Sequence, residues 1–417
     1  MTALGHHCEY EVFIADSCAE TVLARIPWVS ISWGRVNKGV SSASVTMDGR
    51  ADYFACCQVL DVVHAWDQLL VIERNGHRVW DGLITGWSTG ATITVTAYDR
   101  SVMLSKRFIT QDLSVAKMTA TDGFTDVILP LITNAQMVAD AGAVPPVPAC
   151  GVNYMPCVFE MPTPRLALAL MAGDWRIATL TSLSSLFEQW GSTGLNFTQA
   201  GEVFYVSNDY LNWFHDVGLG GNFGLALSLG DQTPFHLNTD TIISDHPFPT
   251  ITVDATDLYT VGYSGTVGQG IAGFVNIGYA GGTYVNYSIQ GTNTEAQNEN
   301  GIFVSGMFDV PVPATSYFYT SPRVGIEQIQ LAPTFGGSLL REDLSNLLPG
   351  VEFYIDFDES CAMNVPHETY FLVAGQLYIR DVVRFARLES LDCQVSVDGS
   401  GQQESFTASF TAMARPV

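Results

Sequence analysis

The run Leu69-Leu-Val-Ile-Glu-Arg-Asn-Gly-His-Arg-Val-Trp-Asp-Gly-Leu-Ile-Thr-Gly86 decides the fold class. Two extended apolar runs flank Asn75-Gly76. Asn-Gly supplies the two positive-φ positions of a type I′ turn, whose twist suits a right-twisted strand pair. Arg74 and His77 are expected to flank the turn as solvated residues. Upstream, Ser42, Ser44 and Thr46 alternate with Ala43, Val45 and Met47, the period of a half-buried strand. Before that stands Trp33-Gly34-Arg35, and between the two strand regions lie Cys56-Cys57 and Trp66-Asp67.

The same grammar extends outward. Strands are expected over 9–15, 24–33, 41–47, 69–74, 78–86 and 91–98, with 52–66 as a short helix carrying Phe54, Leu60, Val63 and Trp66. A meander of this size leaves edges that are best removed by closing into a barrel. Residues 111–235 change character. Phe124, Val127, Ile128 and Leu131 have helical spacing with Pro130 limiting the helix, and six prolines over 143–164 predict an extended loop. Leu180, Leu183, Leu186, Phe187 and Trp190 share one helix face, ended by Gly191 or Gly194, and a hairpin follows over 195–206. Residues 236–325 are rich in Gly, Thr, Asn and Tyr, with strands near 251–254, 259–263 and 282–289 and a polar loop over 290–300. Residues 326–417 return to strands at 351–357, 370–378, 382–397 and 404–412, with Asp398-Gly-Ser-Gly401 as a hairpin turn.

The 417 residues suit about two to four domains. With 47% hydrophobic residues and only 14% charged, the chain folds rather than staying disordered. No apolar run approaches the ~20 residues of a membrane span. The first residues lack the basic head and apolar run of a signal peptide, so folding in a cytoplasm is expected. The net charge of −24 argues against a grip on nucleic acid, which needs Lys and Arg. Residues 1–110 hold 9 basic and 11 acidic groups, residues 111–325 hold 4 and 18, and residues 326–417 hold 5 and 13. Such acidity either keeps the surface soluble or lets DNA pass without sticking.

Chemistry-bearing patterns are few. The eight cysteines show no C-x₂-C spacing and read as free thiols, with a Cys150–Cys157 cross-link conceivable only in an oxidising medium. His6-His7-Cys8 places neighbours on opposite faces of an extended chain, so no metal is expected. Gly268-x-Gly270-x-x-Gly273 matches the dinucleotide fingerprint, yet strand character follows where a helix is required, so no cofactor is expected. No G-x-S-x-G elbow supports a serine hydrolase, and no catalytic residue is assigned. Asp356, Asp358 and Glu359 end a strand; they line either a solvated sheet face or an acidic lumen. The aromatic loop Tyr210 to His215 reads as a small core, an interface or a sugar contact.

Taken together, Trp33-Gly34-Arg35, Ser41 to Val45, Cys56-Cys57, Val79-Trp80-Asp81-Gly82-Leu83-Ile84 and, far downstream, Leu347-Leu348-Pro349-Gly350-Val351 resemble the Gp37-like minor tail proteins of phages that infect actinobacteria. The resemblance covers the first and last quarters of the chain. It implies a mainly β protein with an α+β insertion. An antiparallel tube-type β-barrel over 1–110 and another over 326–417 would flank an α/β peripheral domain over 111–235 and a Gly/Thr/Tyr-rich β domain over 236–325. It also implies a non-enzymatic homotrimeric hub at the tail tip, assembled in the host cytoplasm. Its expected partners are the tail tube or distal tail protein, the tape-measure protein and other tip proteins, with DNA passing unbound. The alternatives are a sixfold distal tail protein, a receptor- or cell-wall-binding tip protein, and a tail-associated hydrolase.

Overall fold

The computed structural model describes residues 8–16, 21–50 and 53–109 and, beyond them, the helix, strands and short segments given below. The expected helix over 124–131, the Pro-rich loop, the Cys150–Cys157 pair, the aromatic loop at 210–215, His6, His7, Asp356, Asp358 and Glu359 lie outside the described residues.

The first part of the chain gives β1 (Tyr10–Ala15), β2 (Val22–Arg25), β3 (Ser30–Val36), β4 (Ser42–Asp48), α1 (Tyr53–Val62), β5 (Leu69–Arg74), β6 (His77–Thr89) and β7 (Thr92–Tyr98). The single strand expected over 24–33 is two, because Pro27 cannot donate to a ladder. Asn75 and Gly76 have φ of 52° and 76°, as the type I′ turn requires. Arg74, expected in solvent, is 4% exposed. α1 ends before Trp66, which sits at φ 65° and is 40% exposed rather than on the helix's inner face. Likewise α2 (Leu183–Ser192) buries Leu183, Leu186 and Phe187 but starts after Leu180.

Later come β8 (Arg323–Leu331), β9 (Phe385–Asp398) and β10 (Gly401–Ala412). The protein is mostly β, and its main sheet is an open antiparallel path running β8-β10-β9-β3-β4-β7-β6-β5-β1-β2. β9 lies directly against β3, with Cys393 opposite Trp33 and Val395 opposite Ile31, so both ends of the chain share one sheet. β9 also changes partner along its length. Residues 385–387 pair with the strand Glu352–Ile355, residues 390–396 pair with β3, and a register shift between Leu388 and Ser390 marks the change.

Strict alternation gives this sheet two unlike faces. Inward lie Ile31, Trp33, Val45, Met47, Val95, Leu391, Cys393, Val395, Phe406 and Ala408, all at most 1% exposed. Tyr10, Val12, Ile14, Leu70 and Ile72 of β1 and β5 belong to the same core, so the path curls until its first strands face its last. Outward, the register lines up Thr94, Thr46, Ser30, Ser396 and Gln403 in one row. The next row is Thr96, Ser44, Ser32, Gln394 and Ser405. Thr46 and Thr94 hydroxyls lie 3.2 Å apart across the strands. Neither row contains Lys or Arg.

Phe235–Leu237, Ile242–Ile243, Ile251–Asp254 and Glu352–Ile355 also join the main sheet, and smaller sheets hold the remaining described strands. Leu195–Ala200 and Val203–Asn208 form the expected hairpin, joined in parallel by Val158–Glu160. Val261–Gly268, Asn276–Gly278, Tyr284–Thr292 and Ser305–Phe308 form a sheet of their own. The residues before and after the Gly-rich fingerprint are thus both strand, and the loop expected over 290–300 gives up its first residues to Tyr284–Thr292. The strand expected over 370–378 is a hairpin of Glu368–Val373 and Gln376–Asp381. No helix among the described residues is long and apolar enough to cross a membrane.

One close approach fixes the β6–β7 region. A Cβ on Gly82 would collide with the Tyr98 carbonyl oxygen and the Trp80 ring. Because backbone cannot yield as a side-chain tip can, Gly82→Ala is expected to destabilise the protein on the order of 3 kcal/mol. Gly76→Ala meets open space and bears only the positive-φ penalty of about 1 kcal/mol. Denaturant unfolding of both variants checks the ranking; equal losses would refute it.

Candidate functional site: the buried junction of the chain ends

Period two places Arg35 on the same side of β3 as Ile31 and Trp33, and it is 5% exposed. A buried guanidinium is tolerated only when its donors are used. Arg35 donates to the carbonyl of Val79 at 2.7 Å, of Leu344 at 2.8 Å and of Leu347 at 3.4 Å. Its charge also sits 5.4 Å from the Trp33 ring centroid. The Leu347 amide closes a turn onto the Leu344 carbonyl at 3.0 Å, and Leu344, Leu347 and Leu348 are at most 2% exposed. One side chain thus joins three points of the chain that the sequence holds far apart.

The neighbouring contacts repeat the pattern. Trp80 Nε1 donates to the Gly34 carbonyl at 3.1 Å. A Cβ at Gly34 would come within 2.8 Å of Asp392 Oδ1 and 3.2 Å of the Leu391 carbonyl, so a side chain there would push β9 away from β3. Trp33-Gly34-Arg35, Val79-Trp80 and Leu347-Leu348, which the sequence offers as separate motifs, therefore meet at one place.

A second buried charge group lies across the core. Glu404 accepts from Arg74 Nε at 2.9 Å and Nη2 at 3.1 Å, and also from the Tyr10 hydroxyl in a short hydrogen bond. The bidentate pairing is the strong form of a carboxylate–guanidinium contact. Arg74 and Glu404 side chains are 5% and 16% exposed. The Arg74 charge lies 5.8 Å from the Phe406 ring, which meets Trp33 edge-on at 6.3 Å. Tyr10 oxygen is 3.7 Å from Cys393 Sγ. Burial, reinforced by Glu404, pushes the Cys393 thiol well above its usual range, so it behaves as a small hydrophobe rather than a nucleophile.

A third group fixes the strand that begins the hydroxyl-rich face. Asp99 accepts from the backbone amides of Ser41 at 2.6 Å and Ser101 at 2.9 Å, and from both serine hydroxyls in short bonds. It caps the 3₁₀ turn Arg100–Lys106 while holding the start of β4. Burial raises its carboxyl to about 6, against the pull of those four donors. Beside it, Arg100 and Asp81 form a buried ion pair at 3.6 Å.

Chemically, these groups hold strands together: donors are matched to carbonyls and carboxylates deep in the core. Among the described residues no group of three or more His, Cys, Asp or Glu could hold a metal. Sequence reasoning quoted Arg35 only as part of a motif and missed Glu404 and Tyr10 as partners of Arg74. The signal was present, since Arg35, Arg74 and Glu404 all fall on the apolar parity of alternating strands.

No known family's sequence model matches this chain, and no curated protein matches it. Solved structures do. A 43 kDa tail protein of prophage MuSo2 from Shewanella oneidensis is 10% identical, with 96% of this chain and 98% of that one covered and a TM-score of 0.49. A tail protein from Neisseria meningitidis MC58 is 12% identical, with 96% of each chain covered and a TM-score of 0.46. The prophage tail protein gp18 from Listeria monocytogenes EGD-e is 9% identical, with 95% and 94% covered and a TM-score of 0.45.

Two outcomes are expected at this junction. Arg35→Met removes the side-chain donor from the Val79 and Leu347 carbonyls, while the Leu344 carbonyl keeps the Leu347 amide, and should cost about 3 kcal/mol. Hydrogen exchange at the Leu347 amide should accelerate with it, and an unchanged rate there would show that Arg35 does not hold the segment. Asp99 should set a pH dependence. Its folded pKa lies above its unfolded value, so its contribution is full below about pH 4 and is lost as pH rises through about 6. The loss amounts to about 3 kcal/mol. Asp99→Asn lacks this term, so the melting temperature of the parent relative to the variant should fall between pH 4 and pH 6. Parallel curves would refute it.

Proposed function

We propose that this protein is a structural component of a phage tail tip, a homotrimeric hub whose outward sheet face lines a passage for DNA and the tape-measure protein. The observation that carries this reading is the pair of five-strand rows of Ser, Thr and Gln with no cation among them. A phosphate backbone finds no counter-charge there, so it has nowhere to stall. The net charge of −24 works in the same direction. The resemblance to Gp37-like minor tail proteins supplies the class, and its motifs coincide with the buried junction.

In this reading each chain contributes two barrel-like units, so three copies present six to a sixfold tail tube. The shared sheet would be the wall of one unit, completed by β9 and β10 from the other end of the chain. Asp356, Asp358 and Glu359 would add negative charge to the lumen. The partners would be the tail tube or distal tail protein, the tape-measure protein and other tip proteins, with the protein located in the virion. A receptor-binding role is favoured by one observation only, the self-contained sheet over residues 261–308, which could be displayed outward.

Light scattering and electron micrographs of the isolated protein test this. Three copies around a central opening are expected; six would favour a distal ring, and a monomer would sink the proposal. The lining is tested separately. The triple variant Ser32→Lys, Thr94→Lys, Gln394→Lys should bind duplex DNA at low salt and release it as salt rises, while the parent shows no retention. Retention by the parent would overturn the passive-wall reading.

A further inference from the structure

We infer that Trp66, Phe108 and Leu180, with the basic pair Lys106-Arg107 among them, form a surface on which a second copy of this chain docks. The inference rests on the multimeric reading above and names the surface it uses.

Two large apolar residues here occupy a backbone region that L side chains avoid. Trp66 has φ 65° and Leu180 has φ 67°. Leu180 is 74% exposed, so its strain gains little burial within the chain, and Trp66 and Phe108 remain 40% and 46% exposed. Such strain persists only where the surroundings hold it, and it concentrates at functional positions. The surroundings do hold it. The Trp66 amide donates to the Ile84 carbonyl at 2.8 Å. The Leu180 amide donates to the Ile109 carbonyl at 2.7 Å, and the Ile109 amide to the Thr181 carbonyl at 3.0 Å. Phe108 and Ser182 form a β-bridge. Behind them Ile109 and Leu183 are 4% and 1% exposed, giving a rigid base.

Lys106 joins the parts, with its Nζ 5.4 Å from the Trp66 ring centroid. Lys106 and Arg107 are adjacent cations on a chain with only 18 basic residues against 42 acidic ones. Residues 111–325 hold 4 basic against 18 acidic groups, so a second copy offers the complementary charge. An aromatic and aliphatic anchor beside a cation is the composition of interface centres.

The test uses the full chain. Leu180→Asn and Phe108→Asp remove exposed apolar groups, and Asn tolerates positive φ better than Leu. The double variant is expected to keep the parent's circular dichroism and to melt, as a monomer, no lower than the parent at matched dilution. Its self-association constant, by sedimentation equilibrium, should weaken at least tenfold. Lys106→Glu should weaken it too and flatten its salt dependence. If the double variant assembles as tightly as the parent, this surface is not the interface, while the trimeric hub still stands. A parent that stays monomeric at tens of micromolar would overturn both.

Discussion

The guanidinium of Arg35 is the contact on which the fold depends. It sits in the core, where an unused donor costs about 1–3 kcal/mol, and its partners are the backbone carbonyls of Val79, Leu344 and Leu347. Those carbonyls belong to β6 and to the turn at Leu344–Leu347. Because the cation and the carbonyls need each other, neither region can settle without the other. The glycine beside it serves the same end, since a Cβ there would crowd the Asp392 carboxylate and bring the Leu391 carbonyl of β9 to 3.2 Å.

The Glu404–Arg74–Tyr10 group does across the core what Arg35 does along it. The sheet bends until β1 and β5 face β9 and β10, and the buried carboxylate meets two donors there. Apolar packing would hold these strands at any register that keeps the alternation. A bidentate ion pair with a third donor accepts one register, because a shift of two residues would leave Glu404 buried without partners. Packing thus supplies most of the stability, and the charges select the arrangement.

Much of this was readable in the residues. The Asn75-Gly76 turn, the alternation in β4 and β7, the 195–206 hairpin and the Asp398–Gly401 turn follow from local chemistry, and the described strands agree. The readings that differ from the structure each place a residue by a single property, apolar spacing for two of them and charge for the third. Trp66 and Leu180 fit helix faces by period, yet each lies outside its helix at positive φ. Arg74 was placed in solvent because it is charged, though its parity in β5 points it inward beside Leu70 and Ile72. The union of β3 with β9 had no local signal, because a strand's partner is set by the tertiary fold. The carboxylates proposed for the lumen fall outside the described residues, whereas the cation-free rows became visible only once register joined five strands.

The partner change along β9 bears on how the nascent chain matures. Until β9 leaves the ribosome, β3 has no neighbour on one side, and the Trp33 pocket lacks Phe406. At synthesis rates of about 5–20 residues per second, the interval between the end of β7 and the start of β9 is roughly 15–60 s. For that time an unfinished edge with Ile31 and Trp33 beside it is open to other chains. A protein whose last strands close its first sheet is therefore committed late, and its yield is set by what shields that edge during synthesis.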